Sequence, residues 1–167
     1  MKKTIMILLS ALFLLVGGPL TVHASEQVLI SSTVEFEDDG YYVTEIRSDL
    51  DLARVDTEIN NGLLRATTTK TKSGSKSITF YNASGVSQWK MTLSGSFTYT
   101  GSSSKATSAS CSVSIYDSAW SIASKSASYS SNSASATAKM NRKFAGVVTQ
   151  TESKSLKLTC DKKGTLS

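Results

Sequence analysis

Between Trp89 and Met140 apolar side chains recur at every second position, and serine or threonine fills most of the places between them. Trp89, Met91, Leu93, Phe97 and Tyr99 keep one parity, and Ala109, Cys111, Val113 and Ile115 do the same further on. A period of two is that of a strand with one dry face and one wet face. The pattern predicts strands over 63–72, 76–81, 86–100, 105–117, 119–129, 134–140, 144–151 and 155–160. Turn chemistry is expected at Ser73-Gly74-Ser75, Asn82 to Gly85, Gly101 to Ser104 and Ser130 to Ser133. Turn signals about every ten residues mark an all-β chain, and the expected fold is an antiparallel β-sandwich, Ig-like or jelly-roll-like. Serine-rich segments such as Ser102 to Ser135 are often disordered, but a solvated linker has no reason to keep Val113, Ile115, Trp120 and Ile122 in phase.

The first residues follow another rule. Lys2 and Lys3 precede an apolar run from Ile5 to Val16, Gly17-Gly18-Pro19 breaks it, and Val22-His23-Ala24 has the small-residue geometry of a cleavage site. Residues 1–24 are therefore expected to be a secretory signal peptide, cut before Ser25, and the protein to be secreted. The run is short of the roughly 20 residues that a bilayer span requires, and no later segment could span as a helix, so no integral membrane segment is expected in the mature chain. The single proline and the single histidine both belong to this leader.

Two further segments are expected. Residues 25–64 form an acidic N-terminal hairpin segment, since Asp38-Asp39-Gly40 separates two β-rich runs and an Asp-Gly pair is a hairpin signal. Leu52, Val55 and Ile59 fit a helical stripe loosely, which allows one short helix near residues 49–61. Residues 65–167 form the basic Ser/Thr-rich body. Cys111 and Cys160 are expected to pair, because an exported chain with an even cysteine count favours a disulfide and both cysteines share parity with apolar neighbours. Closing a loop of about 50 residues would stabilise the fold by about 4 kcal/mol on the chain-entropy model.

Charge divides sharply along the chain. From Glu26 to Leu64 there are ten acidic residues and two basic ones; from Arg65 to Ser167 there are fourteen basic and three acidic. Three readings account for this: an acidic hairpin compensating a basic sheet, an acidic pro-segment masking a cationic domain, or a basic face that meets an anionic polymer or membrane. Arg142, Lys143, Lys154, Lys157, Lys162 and Lys163 are the candidate anionic-ligand residues.

Without histidine, the mature chain has no Ser-His-Asp or Cys-His constellation and no histidine-based metal site. Asp38 with Asp39, or Asp49 with Asp51, could form a carboxylate pair for acid–base work, but each sits where acidic residues are ordinary turn formers. The run Asp49-Leu50-Asp51-Leu52-Ala53-Arg54 lacks the donor and the glycine of a calcium loop, so no metal or cofactor is expected. Nucleic acid is a poor partner for an exported chain. Asn82-Ala83-Ser84 matches a glycosylation acceptor. Trp89, Tyr99 and Trp120 could stack on sugar rings, but their parity assigns them to the core and leaves Tyr41, Tyr42 and Tyr116 as the more accessible aromatics.

The run Glu37-Asp38-Asp39-Gly40-Tyr41-Tyr42-Val43-Thr44-Glu45-Ile46, the segment Lys70 to Lys76, the strand Trp89 to Gly101 with Ser102 to Lys105, and the ending Leu156 to Ser167 carry a resemblance. Together they resemble a group of small secreted Ser/Thr-rich β-proteins of Gram-positive gut bacteria. The resemblance implies export and an all-β fold and carries over no catalytic residue. The expected function is non-catalytic binding at the bacterial envelope or a host surface, with a cell-wall anionic polymer, a glycan or a membrane surface as partner. The alternative is a cationic antimicrobial or pore-forming protein freed from an acidic pro-segment, with Ser121 to Met140 as a barrel stem.

Overall fold

The computed structural model describes residues 4–7, 27–49 and 69–167. The protein is an all-β antiparallel sandwich, and within each of its two sheets the described strands pair with their neighbours in sequence. Strands β1 (Thr4–Ile7), β2 (Gln27–Glu37), β3 (Gly40–Asp49), β4 (Lys70–Asn82), β5 (Ser87–Tyr99) and β6 (Ser104–Ile115) form one sheet in that order. Strands β7 (Trp120–Ser130), β8 (Ser133–Phe144) and β9 (Val147–Thr159) form the other. In the packed sandwich β8 lies over β5 and β6, β9 over β4, and β7 beside β6. The expected short helix near 49–61 lies outside the described residues beyond Asp49, the last residue of β3. The expected cleavage site at Val22-His23-Ala24 lies outside them as well.

The alternation read from the sequence becomes the core. Trp89, Met91, Leu93 and Phe97 of β5 are fully buried, and they meet Ala134, Ala136, Ala138 and Met140 of β8 with Leu156 and Leu158 of β9. Large side chains on one sheet face alanines on the other, which is how two layers interdigitate at crystal-like density. Gly95 marks the tightest approach: a Cβ there would come within 3.0 Å of Ala134 Cβ and 3.2 Å of the Phe97 ring. Next to it the β5–β6 register shifts at Ser96/Phe97, a bulge that bends the strand over its partner sheet.

One turn expectation and one strand expectation are corrected. Ser73-Gly74-Ser75 lies inside the continuous strand β4, where Gly74 pairs with Gly95. The glycine is required by packing: a Cβ on Gly74 would overlap Leu166 of the C-terminal tail and the Arg47 carbonyl. Conversely, the expected strand 144–151 is interrupted at its start by a two-residue turn at Ala145-Gly146 with φ of 48° and 82°. Positive φ at both positions belongs to the tight turn that suits the twist of a hairpin, and it makes β8 and β9 a single long ribbon.

The expected disulfide is not formed. Ser104 Oγ donates to the Cys160 carbonyl at 2.6 Å, which places Cys160 beside the start of β6. Cys111 stands seven residues further along that strand, paired with Leu93. At the strand rise this is on the order of 20 Å, several times the Cα separation a disulfide tolerates. Shared parity put both sulfurs on the inward face, but parity says nothing of position along a strand. Cys160 is instead fixed by its bridge to Leu166, which tucks the C-terminal tail into the core.

Candidate functional site

The six basic candidates fall into separate places. Arg142 and Lys143 are exposed at the end of β8, beside the Ala145-Gly146 turn. Lys162 and Lys163 are exposed beyond the far end of β9, whose thirteen residues span roughly 40 Å. There Asp161 Oδ1 accepts the Lys163 and Thr165 backbone N–H groups at 2.8 Å each. The Thr165 N–H, with those of its neighbours, holds the Asp161 carboxyl below the usual range.

Lys154 is withdrawn from solvent and occupied. Its Nζ lies 3.5 Å from Glu152 Oε2 and 3.6 Å above the Tyr42 ring, while the Tyr42 hydroxyl donates to the same Glu152 oxygen at 3.3 Å. Burial, and then the Glu152 charge, push the Tyr42 phenol well above its ordinary value, so it stays neutral. Tyr42, expected among the accessible aromatics, is in the core, stacked on Phe80 at 4.9 Å. Tyr41 stacks on Tyr81 at 4.9 Å, and Tyr116 is 54% exposed. Trp89, Tyr99 and Trp120 are core residues, as their parity indicates.

Lys157 belongs to a more regular surface. The pairing of β7, β8 and β9 lines up Ser128, Ser135 and Lys157 in one row, then Ser126, Thr137 and Ser155, then Ser124, Lys139 and Ser153. These residues alternate with the buried Ala134, Ala136, Ala138 and Met140, so they form the outward face of the sheet. The Ser126 and Thr137 hydroxyls are linked at 2.8 Å across the strands. Lys157, Lys139 and Lys143 are exposed at intervals of about 13 Å along this face, from strand rise and spacing. From Trp120 to Thr159 the one carboxylate is Glu152, which shares the inward parity of Leu156 and Leu158. The outer face of β7–β9 is therefore hydroxyl-coated, cationic and without carboxylates.

Sequence reasoning misses Lys139 because it stands alone between alanine and methionine, away from any basic doublet. Its shared parity with Ser135 and Thr137 is the signal that could find it. Phe144, Val147 and Val148 are missed for a different reason, since an uninterrupted strand is expected where the chain turns. They are 77%, 66% and 45% exposed. Among the described residues no group of three His, Cys, Asp or Glu side chains could hold a metal ion, and no helix is long and apolar enough to cross a membrane. No protein-family model matches the chain, and comparison with curated proteins and with solved structures returns no match.

Proposed function

We propose that this is a secreted, non-catalytic binding protein of the bacterial envelope or a host surface, whose ligand is an anionic polymer or glycan laid along the outer face of β7–β9. The observation that carries the reading is the line of Lys157, Lys139 and Lys143 on a hydroxyl-coated face free of carboxylates. Spaced cations attract a repeating anion while serine and threonine hydroxyls exchange hydrogen bonds with sugar or phosphate oxygens. The Tyr42 phenol, pushed up by burial and by Glu152, is held in internal contacts with Glu152 and Lys154.

The pore-former reading draws less support. A cut between 64 and 74 would detach β3 from β4, to which it is paired from Gly40 to Ser48, and would open the inward face of Phe80 and Ile78. The test of the leading reading is co-sedimentation of the purified chain with isolated cell walls, before and after their anionic polymers are stripped. Binding is expected at low salt, fading as the screening length falls to about 10 Å near 0.1 M. The pair Lys139→Gln and Lys157→Gln is expected to weaken it on the order of tenfold, at roughly 1 kcal/mol or less per screened surface cation. Failure of the unaltered chain to bind unstripped walls at low salt would reject the reading.

A further inference from the structure

The tip of the β8–β9 hairpin has an order along its axis that the polymer-binding face does not explain. At the apex Phe144 pairs with Val147, and Val148 follows opposite Lys143. Phe144 and Val147 share the inward parity of Met140, whereas Val148 shares the parity of Lys143, so both faces of the ribbon are apolar at its end. Immediately behind stand the exposed Arg142 on one face and Lys143 on the other, and neither makes an ion pair with a described residue. Behind these come the polar Asn141 and Thr151, joined side chain to side chain at 3.0 Å. Apolar apex, cationic collar and hydroxylated stem follow the order of hydrocarbon, anionic headgroup and water across one leaflet of a membrane.

We propose that this hairpin tip seats in an anionic lipid bilayer, with Phe144, Val147 and Val148 in the acyl boundary and Arg142 and Lys143 at the headgroups. The tip shares only Lys143 with the polymer-binding line on β7–β9, and its apolar apex lies outside that line. The apex extends roughly 7 to 10 Å beyond the Arg142–Gln150 pair, matching the depth at which interfacial elements bury their apolar side chains. The acidic residues placed at this end lie level with the collar and leave the apex clear: Gln150, paired with Arg142, donates from Nε2 to Asp39 Oδ2 at 3.2 Å, and Asp117 caps Ala119 of the β6–β7 turn at 2.9 Å. The tip is held in advance of binding. Its tight turn is set by Ala145 and Gly146, and its base is tied to the β6–β7 turn by the Lys143 N–H donating to the Ala119 carbonyl at 2.8 Å. That second turn presents the exposed Tyr116, an aromatic suited to the interface level. A soluble polyanion would use the collar and leave the apex in water, which is why the bilayer is the occupant the apex selects.

The experiment is co-sedimentation of the purified chain with phosphatidylcholine vesicles with and without phosphatidylglycerol, beside a soluble anionic polymer. Binding is expected to the anionic vesicles and to be weak on the neutral ones. The double variant Phe144→Ser/Val147→Ser is expected to lose at least about tenfold on anionic vesicles while keeping polymer binding and its melting temperature, since both side chains are exposed. Arg142→Gln/Lys143→Gln is expected to lose about fivefold per cation at low salt. In Phe144→Trp the added indole should blue-shift on anionic vesicles and be quenched by brominated lipid, against the buried Trp89 and Trp120. The proposal is overturned if the unaltered chain ignores anionic vesicles at low salt, if the double serine variant binds them equally well, or if the introduced indole stays in water on vesicles that carry the protein. Loss of polymer binding by Lys139→Gln/Lys157→Gln with vesicle binding intact would separate the two surfaces.

Discussion

The two sheets wear nearly the same coat and differ in how its charges are arranged. On the six-stranded sheet the outward pairs Thr92, Ser112 and Ser94, Ser110 of β5 and β6 repeat the hydroxyl pattern of β7–β9, while Ser77 and Ser75, which continue these rows on β4, are buried. There, however, Glu45 lies 3.4 Å from Arg47 and 4.0 Å from Lys90, so the cations beside these rows have a carboxylate at hand. On the three-stranded sheet the lysines of the outer face have no carboxylate on their own surface. Hydroxyl content is thus a property of the whole fold, and the uncompensated cation is what distinguishes one side. The acidic hairpin brings its charge to the first sheet through β3, which leaves the opposite layer positive.

The largest effect belongs to the layer that both faces depend on. Leu93→Ala removes a fully buried side chain of β5 from the space between the sheets and is expected to cost about 2 to 5 kcal/mol, read as a fall in denaturation midpoint. A comparable loss is expected from Leu158→Ala on β9, because both lie in one continuous core. If Leu158→Ala cost nothing while Leu93→Ala unfolded the protein, the three-stranded sheet would be a separable layer. The face comparison itself is broken by exchanging charges. Glu45→Gln should leave wall binding by β7–β9 unchanged, whereas Ser155→Asp, placed among Lys139 and Lys157, should reduce it by several-fold through local repulsion. Equal effects would mean that net charge matters and its position does not.

How much of this is readable before folding depends on the kind of signal. Parity finds the dry face of β5 and β8 and assigns Trp89 and Trp120 to the core, because side-chain alternation is a local property of extended backbone. It fails wherever position along a strand or contact between layers decides the outcome. Gly74 looks like a turn and is a clearance for Leu166; Ala145-Gly146 looks like strand and is the turn that exposes Phe144. The cysteines share an inward face yet sit far apart along β6, and no spacing rule within a single strand contains that distance. Parity places the alanines of β8 on the dry face, but their complement, the large side chains of β5, belongs to the other sheet and is fixed only by the packing of the two layers.

A smaller effect is expected at the C-terminal tail, whose turn is organised by Asp161. Its carboxyl is held below the usual value of 3.8, first by the Thr165 N–H, so the charged form is favoured in the folded protein. The stability this contributes is present above pH 3.8 and is lost as pH falls through the lower folded value. Hydrogen exchange at Thr165 and Leu166 should accelerate over that interval, and Asp161→Asn should flatten the dependence; a profile unchanged by the substitution would assign the acid sensitivity elsewhere.

The smallest effect tests the core at the two buried polar atoms that lack a partner among the described residues. The indole N–H groups of Trp89 and Trp120 are buried and have no hydrogen-bond partner among the described residues, although the rings meet edge to face at 6.2 Å. An unpaired buried donor costs about 1 to 3 kcal/mol, while the extra ring atoms of an indole over a phenyl gain a similar amount from burial. The two terms nearly cancel, so Trp120→Phe is expected to change stability by no more than about 1 kcal/mol in either direction. Trp120 joins β7 to the aromatic cluster of β4 and β5, through Phe80 at 6.0 Å and Trp89, and the phenyl ring keeps that contact. A loss several times larger would show that the indole nitrogen is bonded in solution and that this corner of the sandwich, where the two sheets meet, is built from polar as well as apolar contacts.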